Sequence, residues 1–142
     1  MFHLHSDAPL PEPTTPYDEQ AIRFCREWLS GKSTFTLHTS GSTGTPKPIE
    51  LTRTQMSASA RLTGETFGLQ PGEAALCCLN VAYVAGVMML VRALELGLNL
   101  TVTEPAANPL LGLPKTVRFH FYAFVPLQLQ TILETTPERL PQ

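Results

Sequence analysis

Apolar positions along this chain alternate between short runs of period two and longer runs of period 3.6, the marks of half-buried strands and one-sided helices. Ile22, Phe24, Cys25 and Leu29 give one apolar side to a helix that Asp18 caps and Gly31 ends. Phe35-Thr36-Leu37-His38 alternates as a strand should, and Ile49-Glu50-Leu51 resumes an extended pattern after a polar gap. Thr52-Arg53-Thr54-Gln55 matches the capping box, so a helix begins there, carries Met56, Ala60 and Phe67, and stops at Gly68 and the Pro71-Gly72 turn. Ala75 to Leu79 reads as a short buried strand, Val84 to Leu96 as a helix apolar nearly all round and ended by Gly97, and Leu98 to Val102 as a further strand. The aromatic-rich segment Arg118 to Val125 is the most convincing strand, and Pro126 then opens a helix with Leu129, Ile132 and Leu133.

The order strand, helix, strand from Ala75 to Val102 predicts a right-handed parallel crossover, and the all-round apolar helix predicts cover on both sides. The fold class is therefore α/β, a mostly parallel sheet flanked by helices. Residues 1–16, with four prolines between Ala8 and Pro16, read as an extended leader, and residues 17–142 as the folded unit. His3 and His5 fall in that leader and are expected to be disordered, without a third ligand for a metal. Glu104 to Pro114 is a loop.

With 142 residues, 43% hydrophobic and 15% charged, the chain has the composition of one soluble globular domain. A formal net charge of -2 supplies no field for a polyanion, so nucleic acid is not an expected partner and any phosphate recognition must be local. The longest uncharged apolar stretch, Val81 to Val91, is well short of the roughly 20 residues a membrane span needs. The start, Met1-Phe2-His3-Leu4-His5-Ser6-Asp7, lacks the basic and apolar regions of a secretory signal, which predicts a cytoplasmic protein. Cys25, Cys77 and Cys78 have no metal-ligand spacing and are expected to be reduced, with the adjacent pair pointing to opposite faces of a strand.

The chemistry concentrates in Thr39-Ser40-Gly41-Ser42-Thr43-Gly44-Thr45, all serine, threonine or glycine, followed by Pro46-Lys47-Pro48. A polyphosphate is held best by many short donors that converge without bulk. Gly41 and Gly44 allow positive φ and expose consecutive N–H groups, the hydroxyls add donors, and Lys47 adds a compact positive charge. A flexible linker is the bland alternative, but the tract is short, lies between two strands and ends in a stiff Pro-Lys-Pro. The Walker loop fails on residues, since Pro46 stands where that pattern needs glycine and Pro48 where it needs the magnesium-binding hydroxyl. A phosphorylation-site loop is a reading these residues leave open.

The run Thr39 to Lys47 resembles the signature of the adenylate-forming superfamily of acyl-CoA synthetases, luciferases and peptide-synthetase adenylation domains. The likeness extends from Phe35 to Leu133, over what looks like the N-terminal part of the large domain of an acyl-CoA synthetase with its βαβ units. Within that superfamily, the short leader and the pattern Val125-Pro126-Leu127-Gln128-Leu129-Gln130 look most like the 2-succinylbenzoate-CoA ligases of menaquinone biosynthesis. The resemblance implies that a carboxylate attacks the α-phosphate of ATP, with Mg2+, to give an acyl-adenylate, and that coenzyme A as co-substrate then displaces AMP. It implies that Thr39, Ser40, Gly41, Ser42, Thr43, Gly44 and Thr45 bind the phosphates and that Lys47 is the catalytic cation.

Two departures accompany it. Pro48 stands where relatives commonly have glycine, and Asn80-Val81-Ala82-Tyr83-Val84-Ala85-Gly86 keeps only the glycine of a Pro-Leu-Phe-His-x-x-Gly segment. Tyr83 and Gly86 would then border the acid-substrate pocket. No adenine-binding Tyr-Gly-x-Thr-Glu-like segment, ribose-binding aspartate motif or small domain with the adenylation lysine is present, so the isolated chain is expected neither to adenylate a carboxylate nor to bind ATP tightly. Its expected partners are a small-molecule carboxylate, ATP, coenzyme A, and the remainder of a ligase or a second copy. The rival reading is a non-catalytic anion-binding or assembly module.

Overall fold

The computed structural model describes residues 1–40 and 44–140. In chain order the elements are β1 (Phe2–Leu4), α1 (Pro16–Leu29), β2 (Thr34–Thr39), β3 (Lys47–Thr52), α2 (Arg53–Phe67), β4 (Ala74–Cys77), α3 (Val84–Leu96), β5 (Asn99–Val102), β6 (Phe121–Ala123) and α4 (Pro126–Thr135). They form a four-stranded sheet in the order β1-β5-β4-β6 and a separate two-stranded sheet, β2-β3. β4 is parallel to both β5 and β6, and β1 is antiparallel to β5. The architecture is the α/β fold expected from the sequence, with a mainly parallel sheet flanked by helices.

The start of the chain departs from expectation. Phe2 and Leu4 are buried and paired with Val102 and Leu100, while His3 faces the other way and its ring nitrogen meets the Thr101 hydroxyl at 3.1 Å. His5 likewise meets the Asn99 side chain at 2.8 Å. Phe2–Leu4 is strand rather than disordered leader, because its alternation meets an open sheet edge. Pro9 to Thr14 is extended and unpaired, as its prolines dictate.

α1 begins one turn before the expected cap. The Thr15 hydroxyl accepts the Asp18 amide at 3.1 Å and Pro16 opens the helix, so Asp18 lies inside the first turn. The buried Asp18 carboxylate instead accepts the Thr14 hydroxyl at 2.7 Å. From there Ala21, Ile22, Phe24, Cys25 and Trp28 form the buried face. Phe24 and Trp28 pack on Phe35 of β2 at ring separations of 5.1 and 5.5 Å.

α2 begins as expected: the Thr52 hydroxyl accepts the Gln55 amide at 3.1 Å, and the Gln55 side chain accepts the Thr52 amide at 2.9 Å. α2 and α3 end at Gly68 and Gly97, both left-handed, a conformation that costs glycine nothing. α3 packs between the four-stranded sheet and the helices α1 and α2, which explains its apolar circumference. The sheet divides two apolar clusters, and the adjacent cysteines point into different ones: Cys77 joins the larger with α1 and α3, Cys78 the smaller under α4.

The aromatic segment forms a shorter strand than its composition suggests, three residues where 118–125 was expected. Phe119, Tyr122 and Phe124 spend their rings on one another and on the smaller cluster. His120 is structural, its amide donating to the Ala74 carbonyl at 2.7 Å. Pro126 opens α4 with Val125 as cap, and the Gln128 side chain accepts the Val125 amide at 3.1 Å. Among the described residues no helix is long and apolar enough to cross a membrane.

Candidate nucleotide-phosphate site

The Ser/Thr/Gly run closes the hairpin of β2 and β3. The register sets Thr39 opposite Lys47, so the first and last residues of the signature face each other at the hairpin mouth. Ser40, Gly44, Thr45 and Lys47 are exposed and Thr39 is half-buried. Gly41, Ser42 and Thr43 lie outside the described residues. Gly44 has φ +79°, and among the described residues nothing stands within 4 Å of where its Cβ would be.

Pro48 pairs with His38. In a two-stranded sheet each strand has a free edge, so the missing amide of Pro48 need not cost a ladder bond. The two prolines at 46 and 48 thus stiffen the backbone on either side of Lys47.

His38 also forms a single parallel bridge to Tyr83, which brings the N-terminus of α3 beside the base of the loop. Tyr83 is the N-cap of α3, with extended backbone and no side-chain cap bond. It is preceded by a tight turn in which the Asn80 side chain accepts the Ala82 amide at 2.9 Å and the Asn80 carbonyl accepts the Tyr83 amide at 3.2 Å. Gly86 is buried against that turn: a Cβ on it would lie 2.4 Å from the Asn80 carbonyl oxygen. The glycine is thus required by close backbone packing, whatever else it borders.

A cleft of about 340 Å³ lies between α1 and β2, lined by Gln20, Arg23, Phe24 and Glu27 of α1, by Phe35 to His38 of β2, and by Val81 and Ala82 among others. His38 both lines it and directly precedes Thr39. Gln20, Arg23 and Glu27 recur at helical spacing, the one signal in the sequence of this polar wall of the cleft. Lys32 at its rim is committed to Glu27 at 2.5 Å.

The three thiols are free and buried. Burial first, then the neighbouring Cys77, pushes Cys25 up to about 12, and the same causes push Cys78 up to about 12. Burial also raises Cys77 and Tyr17, whose hydroxyl donates to the Leu79 carbonyl at 2.8 Å. All four groups are protonated at neutral pH and hold the core rather than react.

Comparison with known proteins gives these features a context. The AMP-binding enzyme family matches residues 5–141. The chain belongs to that family. An acyl-CoA synthetase (AMP-forming)/AMP-acid ligase II-like protein from Dyadobacter fermentans DSM 18053 superimposes with a TM-score of 0.87 at 51% sequence identity, over 96% of this chain and 39% of its own length. The chain thus spans well under half of the length of that protein. No curated protein matches it.

Proposed function

We propose that this chain carries the triphosphate-holding part of an AMP-forming acid-CoA ligase, acting on 2-succinylbenzoate in menaquinone biosynthesis. The observation that carries the reading is the run Thr39 to Lys47 at the turn of a hairpin in an AMP-binding family member. In this reading residues 17–142 are the N-terminal part of the adenylation domain, and β1 completes its sheet.

The N–H groups and hydroxyls of Thr39, Ser40, Gly41, Ser42, Thr43, Gly44 and Thr45 hold the β- and γ-phosphates of ATP. The exposure of Ser40, Thr45 and Lys47 and the open space at Gly44 suit such a ligand. Lys47, held opposite Thr39, offsets charge that builds up as the carboxylate attacks the α-phosphate and pyrophosphate leaves. Mg2+ would be held by the oxygens of the nucleotide's own phosphates and would add positive charge beside Lys47. Tyr83, with Gly86 behind it, borders the acid, and the thioester forms when coenzyme A displaces AMP from the acyl-adenylate.

ATP–pyrophosphate exchange with 2-succinylbenzoate, measured in the longest native polypeptide containing this sequence, tests the reading. Exchange that Lys47→Ala abolishes supports it; no exchange with any carboxylate would sink it and favour a non-catalytic anion-binding or assembly module. The uncovered apolar face of α4 is what speaks for that second reading. The 142-residue chain by itself is proposed to be inactive.

A further inference from the structure

We propose that His3 and His5 form an open two-histidine site for Zn2+ or another late first-row divalent ion, on the exposed face of β1. The site is independent of the activity proposed above.

Alternate residues of a strand project from the same face. With Phe2 and Leu4 buried, His3 and His5 stand side by side on the opposite, exposed face, their ring centres 6.5 Å apart and their planes at 33°. Each ring is steadied through Nδ1 by a side chain of β5: His3 by the Thr101 hydroxyl at 3.1 Å, His5 by the Asn99 oxygen at 2.8 Å. The Asn99 amide nitrogen donates to the Gly72 carbonyl at 2.8 Å, which turns the Asn99 oxygen toward His5. That oxygen can only accept, so in the neutral ring Nδ1 of His5 carries the proton and Nε2 carries the lone pair. The Thr101 hydroxyl can accept from Nδ1 of His3 in the same way. An imidazole that offers Nε2 while an oxygen anchors its Nδ1–H is the arrangement in which proteins hold metal ions.

The other histidines do not share it. His120 accepts the Ala74 amide on Nδ1 at 3.3 Å, so its neutral ring carries the proton on Nε2 and has no lone pair there. His38 has Thr36 and Ser40 two positions away, not a second imidazole.

The kind of ion follows from the donors. Two nitrogens select a nitrogen-seeking ion over Mg2+ and Ca2+, which take oxygen. With metal–nitrogen bonds of about 2.0–2.1 Å at a tetrahedral angle the ring centres would lie about 5 Å apart, so these exposed rings need close by only about 1.5 Å. β1 and β5 contain no Lys or Arg to repel the ion. Among the described residues no group of three His, Cys, Asp or Glu side chains gathers, so water fills the remaining positions and the ion exchanges readily.

Calorimetric titration of Zn2+ into the longest native polypeptide containing this sequence tests the proposal, with Mg2+ as the counter-probe. The expected result is one Zn2+ per chain that Mg2+ does not displace. His3→Gln and His5→Gln should each lower its affinity tenfold or more, without moving the unfolding midpoint measured in the absence of the ion, whereas His38→Gln should leave it unchanged. Asn99→Ala should cost roughly tenfold by freeing the His5 ring, and Asn99→Asp, which keeps an acceptor oxygen, should restore the affinity. Absence of Zn2+ binding, or binding indifferent to both histidine variants, overturns the proposal. Dependence on His3 alone overturns it in favour of a chelate built on the backbone beside that residue, and a histidine-dependent dimer with two chains per ion overturns it in favour of a bridge between copies.

Discussion

Gly86 sits against the main-chain carbonyl of Asn80, so close that an added Cβ would lie 2.4 Å from its oxygen and 2.9 Å from the Val81 nitrogen. The turn leaving β4 and the first turn of α3 therefore pack backbone to backbone, beside the His38–Tyr83 bridge at the base of the β2–β3 hairpin loop. We predict that Gly86→Ala destabilises the fold by about 1–3 kcal/mol, since main chain and not a flexible side chain must shift. Gly112→Ala, whose new methyl meets open space, should stay within about 0.5 kcal/mol. Urea unfolding followed by the fluorescence of Trp28, the single tryptophan, measures both, and equal midpoints would remove the steric role.

Arg53, the first residue of α2, lies with its guanidinium 4.1 Å from the centre of the Trp28 ring and donates to the Trp28 carbonyl at 2.5 Å. This contact ties α1 to the end of the hairpin that carries the loop. We predict that Arg53→Ala costs about 1–2 kcal/mol and that Arg53→Lys, which keeps the charge but loses the planar fork, falls between the two. A lysine variant as stable as the parent would show that planarity is not used.

The thiols give a pH prediction with a definite sign. Cys25 and Cys78 are raised from 9.0 to about 12, so the folded protein keeps protons that the unfolded chain releases above about pH 9. Their contribution to stability is complete below that pH and is lost toward pH 12, at up to about 1.4 kcal/mol per pH unit per thiol. Unfolding free energies from pH 8 to 11 should fall, and less steeply in Cys25→Ala; an unchanged slope would count against burial as the cause. Thiol reagents should label Cys25, Cys77 and Cys78 slowly until the protein unfolds.

Lys47 is the side chain on which the proposed chemistry leans most. In the longest native polypeptide that contains this sequence we predict that Lys47→Ala lowers ATP–pyrophosphate exchange about 100-fold or more, with an unchanged unfolding midpoint because Lys47 is exposed. Loss of exchange with a matching loss of stability would point to a structural role instead.

What the sequence determined by itself is local. The Thr52–Gln55 capping box, the limits of α3, its glycine stop and the order of elements from α1 to α4 depend on residues a few positions apart, and each stands where the pattern put it. The Thr39 to Lys47 run likewise carried the family resemblance without any fold. Tertiary structure decided what depends on distant partners. Phe2–Leu4 became a strand because β5 offered an edge nearly a hundred residues away, and His38 was left exposed because Phe35 and Leu37 took the buried face of its strand. Thr15 displaced Asp18 as cap because Pro16 already occupied the first helical position. Gly86 is tied to Asn80 by packing, and β6 lies at an edge despite its interior composition. An apolar period says which face of an element avoids water; it carries no information about which surface will provide the cover.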